Sequence, residues 1–259
     1  MSAAPLAHSG LLVRRSILRV ARQPANIAFA FAFPLLLLAV NAGGLDAATA
    51  LPGFPSGSYL TFALAVPFIQ GGLFAALTSG QGLGQDIESG FLKRLALTPL
   101  TRSSLLAGQL AGSLALGTFQ AAVFLAVGLS ASAGFAAGIA GVPVLLALSI
   151  VITLGFSSVG ALVALRTGSG EAVQGMFPLF FVFLFLSSMA MPRDLIQHDW
   201  FRTIATYNPV SYLLEAIRSL LISGWDAEAL ALGFGCAAGI AVLGVTGAAL
   251  SLRTRMVRT

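Results

Sequence analysis

The sequence predicts an all-α polytopic membrane protein with six transmembrane helices. Three observations point there. Of the 259 residues, 57% are hydrophobic and only 9% are charged, whereas charged residues make up about a quarter of a soluble domain. Segments 24–85 and 103–165 hold a single charge between them, Asp46. Each is long enough for two spans of about 20 residues. Finally, six spans put eleven of the fourteen lysines and arginines on the side of the chain termini. The positive-inside rule makes that side cytoplasmic. Residues 1–259 read as a single membrane domain, with no sizeable soluble domain.

In chain order, residues 9–23 form an amphipathic helix. Val13, Ile17, Val20 and Ala21 cluster on one side, and Arg14, Arg15, Arg19 and Arg22 on the other. That pattern suits a helix lying in the headgroup layer. Pro24 ends it. Spans 1 and 2 occupy residues 27–85, joined by a Gly- and Pro-rich loop over 41–58, with a kink expected at Pro67.

A charged island then interrupts the apolar sequence at 86–98. A helix from Asp86 to Leu97 aligns Ile87, Phe91 and Leu95 on one face. It puts Asp86 and Glu88 in its first turn and Lys93 and Arg94 near its end, as the helix dipole favours. Thr98-Pro99 stops it, because a residue before proline leaves the α region. Held between two spans on the cytoplasmic side, such a helix is well placed to be gripped by another protein.

Spans 3 and 4 fill residues 104–166, and span 5 fills 171–191 with the run FPLFFVFLF. Two short amphipathic helices follow at 194–223. The second starts at Asn208 as N-cap and Pro209 as first helical residue. Its apolar stripe is Val210, Leu213, Leu214, Ile217, Leu220 and Leu221, with Glu215 and Arg218 close enough on the other face to pair. Lacking a full-length apolar run, the two helices should dip into the outer leaflet and return, under cover of protein. Span 6 covers 228–252. Glycine pairs at four-residue spacing, such as Gly80/Gly84 and Gly108/Gly112, predict close helix packing.

Several chemistries find no residues here. The chain has no GxxxxGK[ST] phosphate loop, no HExxH and no GxSxG elbow. His8 and His198 fall on opposite sides of the predicted membrane, so no metal pair is expected. Cys236 is a single thiol in an apolar run. The net charge of +5 is explained by topology, without nucleic acid. No acid or base sits near mid-membrane, where ion-coupled carriers usually need one. The polar residues within the spans, Gln70, Gln109, Gln120, Thr153 and Gln174, read as interhelical hydrogen-bond formers. The chain therefore looks like a translocation path without its own engine.

Three stretches resemble the ABC-2 type permeases, the membrane subunits of bacterial exporters of the daunorubicin-resistance and O-antigen types. The first is DIESGFLKRLALTPLTR, with Asp86, Gly90, Lys93, Thr98 and Pro99 at motif positions. The second is MPRDLIQHDWFRTIATYNPVSYLLEAIRSLL, matching at Pro192, Trp200, Asn208, Pro209, Tyr212, Glu215 and Arg218. The third is the N-terminal amphipathic helix.

The resemblance implies a non-enzymatic permease in the bacterial plasma membrane, paired with a second permease copy. Two nucleotide-binding ATPase subunits would bind ATP and Mg and drive export of a hydrophobic drug-like or lipid-linked substrate. Asp86, Glu88, Gly90, Phe91, Lys93, Arg94 and Leu95 would form the coupling helix seated in the ATPase. Arg14, Arg15, Arg19 and Arg22 would mark the interface helix bracing that contact. Asn208, Pro209, Tyr212, Glu215 and Arg218 would close the outer gate. An ion-driven carrier and a non-transporting membrane anchor or assembly factor are the competing readings.

Overall fold

The computed structural model describes residues 4–96 and 101–257, and among them every regular element is helical. Helix α1 spans Ala4–Ala21, α2 Pro24–Gly44, α3 Tyr59–Ala63, α4 Ala65–Glu88 and α5 Phe91–Ala96. The remainder are α6 Arg102–Ser130, α7 Gly138–Thr167, α8 Gly170–Gly175, α9 Phe177–Phe185, α10 Asp199–Tyr207, α11 Pro209–Arg218 and α12 Ala227–Val257.

Local chemistry sets many of the boundaries. Pro24 opens α2, and Ser58, Thr101 and Ser169 cap α3, α6 and α8 through their side chains. Gly168, at φ 82°, closes α7 in the left-handed conformation that glycine adopts without strain. The bend expected at Pro67 is a break at Leu64, between α3 and α4. Proline crowds the carbonyl four residues earlier, here that of Ala63.

Among the described residues, five helices are long and apolar enough to cross a membrane: Pro24–Gly44, Tyr59–Glu88, Ser103–Ser130, Gly138–Thr167 and Ala227–Arg255. The predicted span 5, 171–191, is not one of them. In its place the shorter apolar stretch Gly170–Phe185 is divided into α8 and α9 at Met176, with Pro178 in the first turn of α9. The chain then turns at Leu186–Ser187 instead of continuing. At 1.5 Å per residue this stretch is about 24 Å long, less than the roughly 30 Å hydrocarbon core.

The predicted helix from Asp86 to Leu97 is likewise divided. Helix α4 runs on to Glu88, Ser89 caps it, and Gly90 at φ 70° turns the chain before α5. Asp86 and Glu88 therefore close the span helix instead of opening the next one. Ile87 and Phe91 are not on one continuous face. The Thr98-Pro99 stop and the side chains of Lys93 and Leu95 lie outside the described residues.

Helix α4 is the axis of the bundle. Together with α3 it forms the span Tyr59–Glu88, whose most apolar stretch is 89% buried, against 17% for α2 and 22% for α12. It packs on α7 where Gly80 faces the Gly160 carbonyl and Val173, and on the start of α8 where Gly84 meets the backbone of Gly170. The Gly108/Gly112 pair of α6 receives Leu12 and Ser16 of α1. A β-carbon added at Gly160 would lie 2.2 Å from the Ala76 carbonyl oxygen. Backbone cannot rotate away, so Gly160→Ala is expected to cost about 1–3 kcal/mol. A thermal unfolding midpoint in detergent unchanged from the parent chain would contradict this close crossing.

Candidate functional site

Two polar nodes tie down the two ends of the α3–α4 span, and they gather most of the residues singled out from the sequence. At the first, the Asp86 carboxylate is 5% exposed and faces α1. Arg15 grips it bidentately, donating Nη2 to Oδ1 at 2.7 Å and Nη1 to Oδ2 at 3.1 Å. Arg19 donates Nη2 to the same Oδ1, and its Nη1 reaches the Gly82 carbonyl at 2.7 Å. The Arg15 guanidinium also covers the Phe91 ring, 4.0 Å from its centroid. One arginine thus joins α1, the end of α4 and the start of α5.

Electrostatics explains the clamp. A carboxylate in the last turn of a helix sits against unpaired carbonyls, where the dipole disfavours negative charge. Two cations from α1 reverse that local field. Beside it, Glu88 accepts the Gly170 N–H at 3.1 Å and fastens the α7–α8 connection to the same end of α4. Ser16 completes the α1–α6 contact, donating to the Gln109 carbonyl and accepting the Gly112 N–H, both at 3.1 Å.

The four arginines of the expected headgroup face consequently separate. Arg14 and Arg22 are exposed, while Arg15 and Arg19 turn inward to Asp86. Helix α1 packs through Leu12 and Ser16, leaving Ile17 and Leu18 on its outer surface, 40% and 37% exposed. Asp86, expected at the surface of a partner contact, is internal. Phe91 is half-buried, and Arg94 and Glu88 are exposed.

The second node surrounds Arg218, which is 6% exposed. Its guanidinium donates Nε to the Phe62 carbonyl at 3.1 Å, Nη1 to Ser188 at 2.7 Å and Nη2 to Met189 at 2.7 Å. Its carbon lies 3.5 Å from the Phe62 ring centroid. Burial pushes Arg218 down to about 9, against the pull of Glu215 and Tyr59, so it stays cationic at neutral pH. Helix α3, the turn after α9 and α11 are thereby pinned by one fork of donors. The expected Glu215–Arg218 pair does not form. Glu215 bonds Arg193, whose guanidinium also lies 4.8 Å from the Tyr212 ring.

Asn208 and Pro209 start α11 as expected, the Asn208 Oδ1 accepting the Val210 N–H at 2.9 Å. The same amide donates Nδ2 to the carbonyls of Phe183 at 2.6 Å and Leu186 at 3.0 Å, capping the end of α9. All six stripe residues of the predicted helix are buried. After α11 the chain makes a π turn at Ser219–Ser223, whose Leu220 and Leu221 carbonyls accept the N–H groups of Ala137 and Ala136. Irregular backbone here is satisfied by protein. Helix α10 is peripheral instead, with Trp200 63% and Tyr207 81% exposed.

Sequence reasoning missed Arg193, Phe62 and Ser188 as members of this node. Arg193 stands one residue after Pro192 in the second resembling stretch, the only hint available. Among the described residues, no cluster of three or more His, Cys, Asp or Glu could hold a metal.

Residues 9–222 match the family model described as ABC-2 type transporter. A relative from Porphyra purpurea, ycf38, whose description is that of a transport permease, is 29% identical over 210 residues. The alignment covers 80% of this chain and 71% of that protein.

Proposed function

Because the chain belongs to the ABC-2 type transporter family, we propose that it is the membrane permease of an ATP-driven exporter. The observation that carries this reading is the fastening of one buried helix at both ends. Helix α4 meets α1 and α5 at Asp86, and the break before it meets α11 at Arg218. A push on α5 would therefore pass along α4 to the opposite end of the bundle, with little slack.

In this reading α5, with Phe91, Lys93, Arg94 and Leu95, seats in a nucleotide-binding ATPase subunit that holds ATP and Mg. Helix α1 braces the seat through Arg15. ATP binding biases the paired permeases between two states, which requires that it favour one of them. Asn208, Pro209, Tyr212, Glu215 and Arg218 stiffen the outer closure, with α11 re-entrant from the outer side. The stretch Gly170–Phe185 would complete a sixth crossing together with the turn that follows it, returning both termini to the cytoplasmic side of a bacterial plasma membrane. Two ATPase subunits and a second permease copy complete the assembly. The cargo is a hydrophobic drug-like or lipid-linked molecule, in keeping with apolar segments 24–85 and 103–165 that hold a single charge between them.

The test is affinity purification of the tagged chain in mild detergent from its host. A stoichiometric ATP-binding subunit should co-elute. Phe91→Asp should reduce its retention about tenfold or more, as for an aromatic anchor lost from an interface, while the permease still elutes as a folded species. Full retention and normal transport in that variant would refute the proposed seat.

A further inference from the structure

A cavity of about 150 Å³ lies between α2, the α3–α4 span and the end of α9. Leu37, Leu38, Val66, Phe185 and Met189 form its apolar wall. Three polar side chains also line it. Asn41 donates to the Leu37 carbonyl and Tyr59 to the Ala190 carbonyl, each at 2.8 Å. Gln70 differs from both. It is fully buried, and neither its Nε2 nor its Oε1 has a hydrogen-bond partner.

An unpaired amide away from water costs about 1–3 kcal/mol. Hydrocarbon offers nothing to relieve it. A glutamine serving only to tie helices together would have bonded at least one neighbouring backbone group, as Gln120 does by donating Nε2 to the Ala30 carbonyl even though its Oε1 is unpaired. Gln70 instead leaves its whole carboxamide, the Nε2 donors and the Oε1 acceptor, free in the wall of an apolar space. A carboxamide carries the complementary pair in the same spacing, and a hydroxyl beside a carbonyl does so nearly as well. The volume suits one aromatic ring or a short aliphatic segment, since a dry apolar cavity of about this size is known to hold benzene.

We infer that this cavity is a binding site for a neutral, largely apolar molecule carrying a hydrogen-bond donor beside a carbonyl acceptor, read by Gln70. The site rests on the permease function proposed above, in which it would receive part of the cargo. Anions and cations are disfavoured, because among the described residues no charged side chain lines the cavity to offset their desolvation.

The probe is para-azidobenzamide, compared with phenyl azide, which has the ring and lacks the amide. Each is photolysed on the purified full-length chain in lipid nanodiscs without the ATPase, and labelled peptides are mapped by mass spectrometry. The benzamide should label residues around Val66 and Met189 about tenfold more efficiently than phenyl azide, the worth of about one net hydrogen bond. Gln70→Leu should abolish that preference while phenyl azide labelling persists. The same variant should melt no lower than the parent chain, because an unpaired polar group is removed. Val66→Phe should block both probes by filling the space.

Equal labelling by the two probes in the parent chain would overturn the inference. So would a retained preference in Gln70→Leu, or a lower melting point for it, which would reveal a structural bond. The readout needs no ATP. Site-specific labelling without ATP-driven export of the benzamide by the full complex would uphold the site and defeat the export function.

Discussion

Replacing Arg218 with methionine is expected to destabilise the chain strongly. The substitution keeps an unbranched apolar stem but removes the donors to the carbonyls of Phe62, Ser188 and Met189. Each buried carbonyl left unpaired costs about 1–3 kcal/mol, so a total of roughly 3 kcal/mol or more is expected. Lysine should recover only part of this, because a point charge on a flexible stem cannot span three acceptors in different directions. The check is thermal unfolding of the purified chain in detergent, with size-exclusion recovery as a second readout. A methionine variant within about 1 kcal/mol of the parent would mean that the three carbonyls find other partners. By contrast, the Glu215–Arg193 pair is partly exposed, with side-chain exposures of 28% and 23%, and Glu215→Gln should cost only about 1 kcal/mol.

Asp86→Asn should release the N-terminal helix. The change is nearly isosteric, yet it removes the charge that holds both Arg15 and Arg19 against the end of α4. The two arginines are 36% and 23% exposed, so solvent offsets part of the loss. About 1–3 kcal/mol is expected, short of the 3–5 typical for breaking a fully buried pair. Limited trypsin digestion reads the effect directly. Cleavage after Arg15 and Arg19 should accelerate about tenfold or more, while cleavage after Arg202 on the exposed helix α10 serves as the internal reference. Unchanged cleavage at all three positions would show that α1 is held by its Leu12 and Ser16 contacts alone.

Local features of this fold were readable from the sequence, and tertiary partners were not. Asn208-Pro209 announces the start of α11 because capping acts within three residues, and the six-residue stripe announces its buried face through helical period alone. The second role of Asn208, capping α9 from 22 and 25 residues away, leaves no local trace. Glu215 stands at helical spacing from Arg218 and looks paired with it. The three carbonyls that claim Arg218 come from elements up to 156 residues distant, and Glu215 then takes Arg193. The helix expected from Asp86 to Leu97 follows from a genuine apolar period, but that period does not register the left-handed turn at Gly90. Span 5 is shorter and more broken than its composition suggests for a related reason. Its hydropathy is continuous through Met176 and Pro178, while the backbone is not.

The clamp on Asp86 also imposes an order on biogenesis. Arg15 is 71 residues ahead of its carboxylate, and Ser16 is 93 residues ahead of its acceptor on α6. At translation rates of about 5–20 residues per second, α1 leaves the ribosome on the order of ten seconds before its docking groove exists. During that interval an amphipathic helix with four arginines on one side and Val13, Ile17 and Val20 on the other has a natural resting place at the lipid surface. Headgroup phosphates would hold Arg15 and Arg19 first, and Asp86 would take them over once α6 is inserted. The same basic face thus acts as a temporary moor for the nascent chain and as a permanent latch in the finished one.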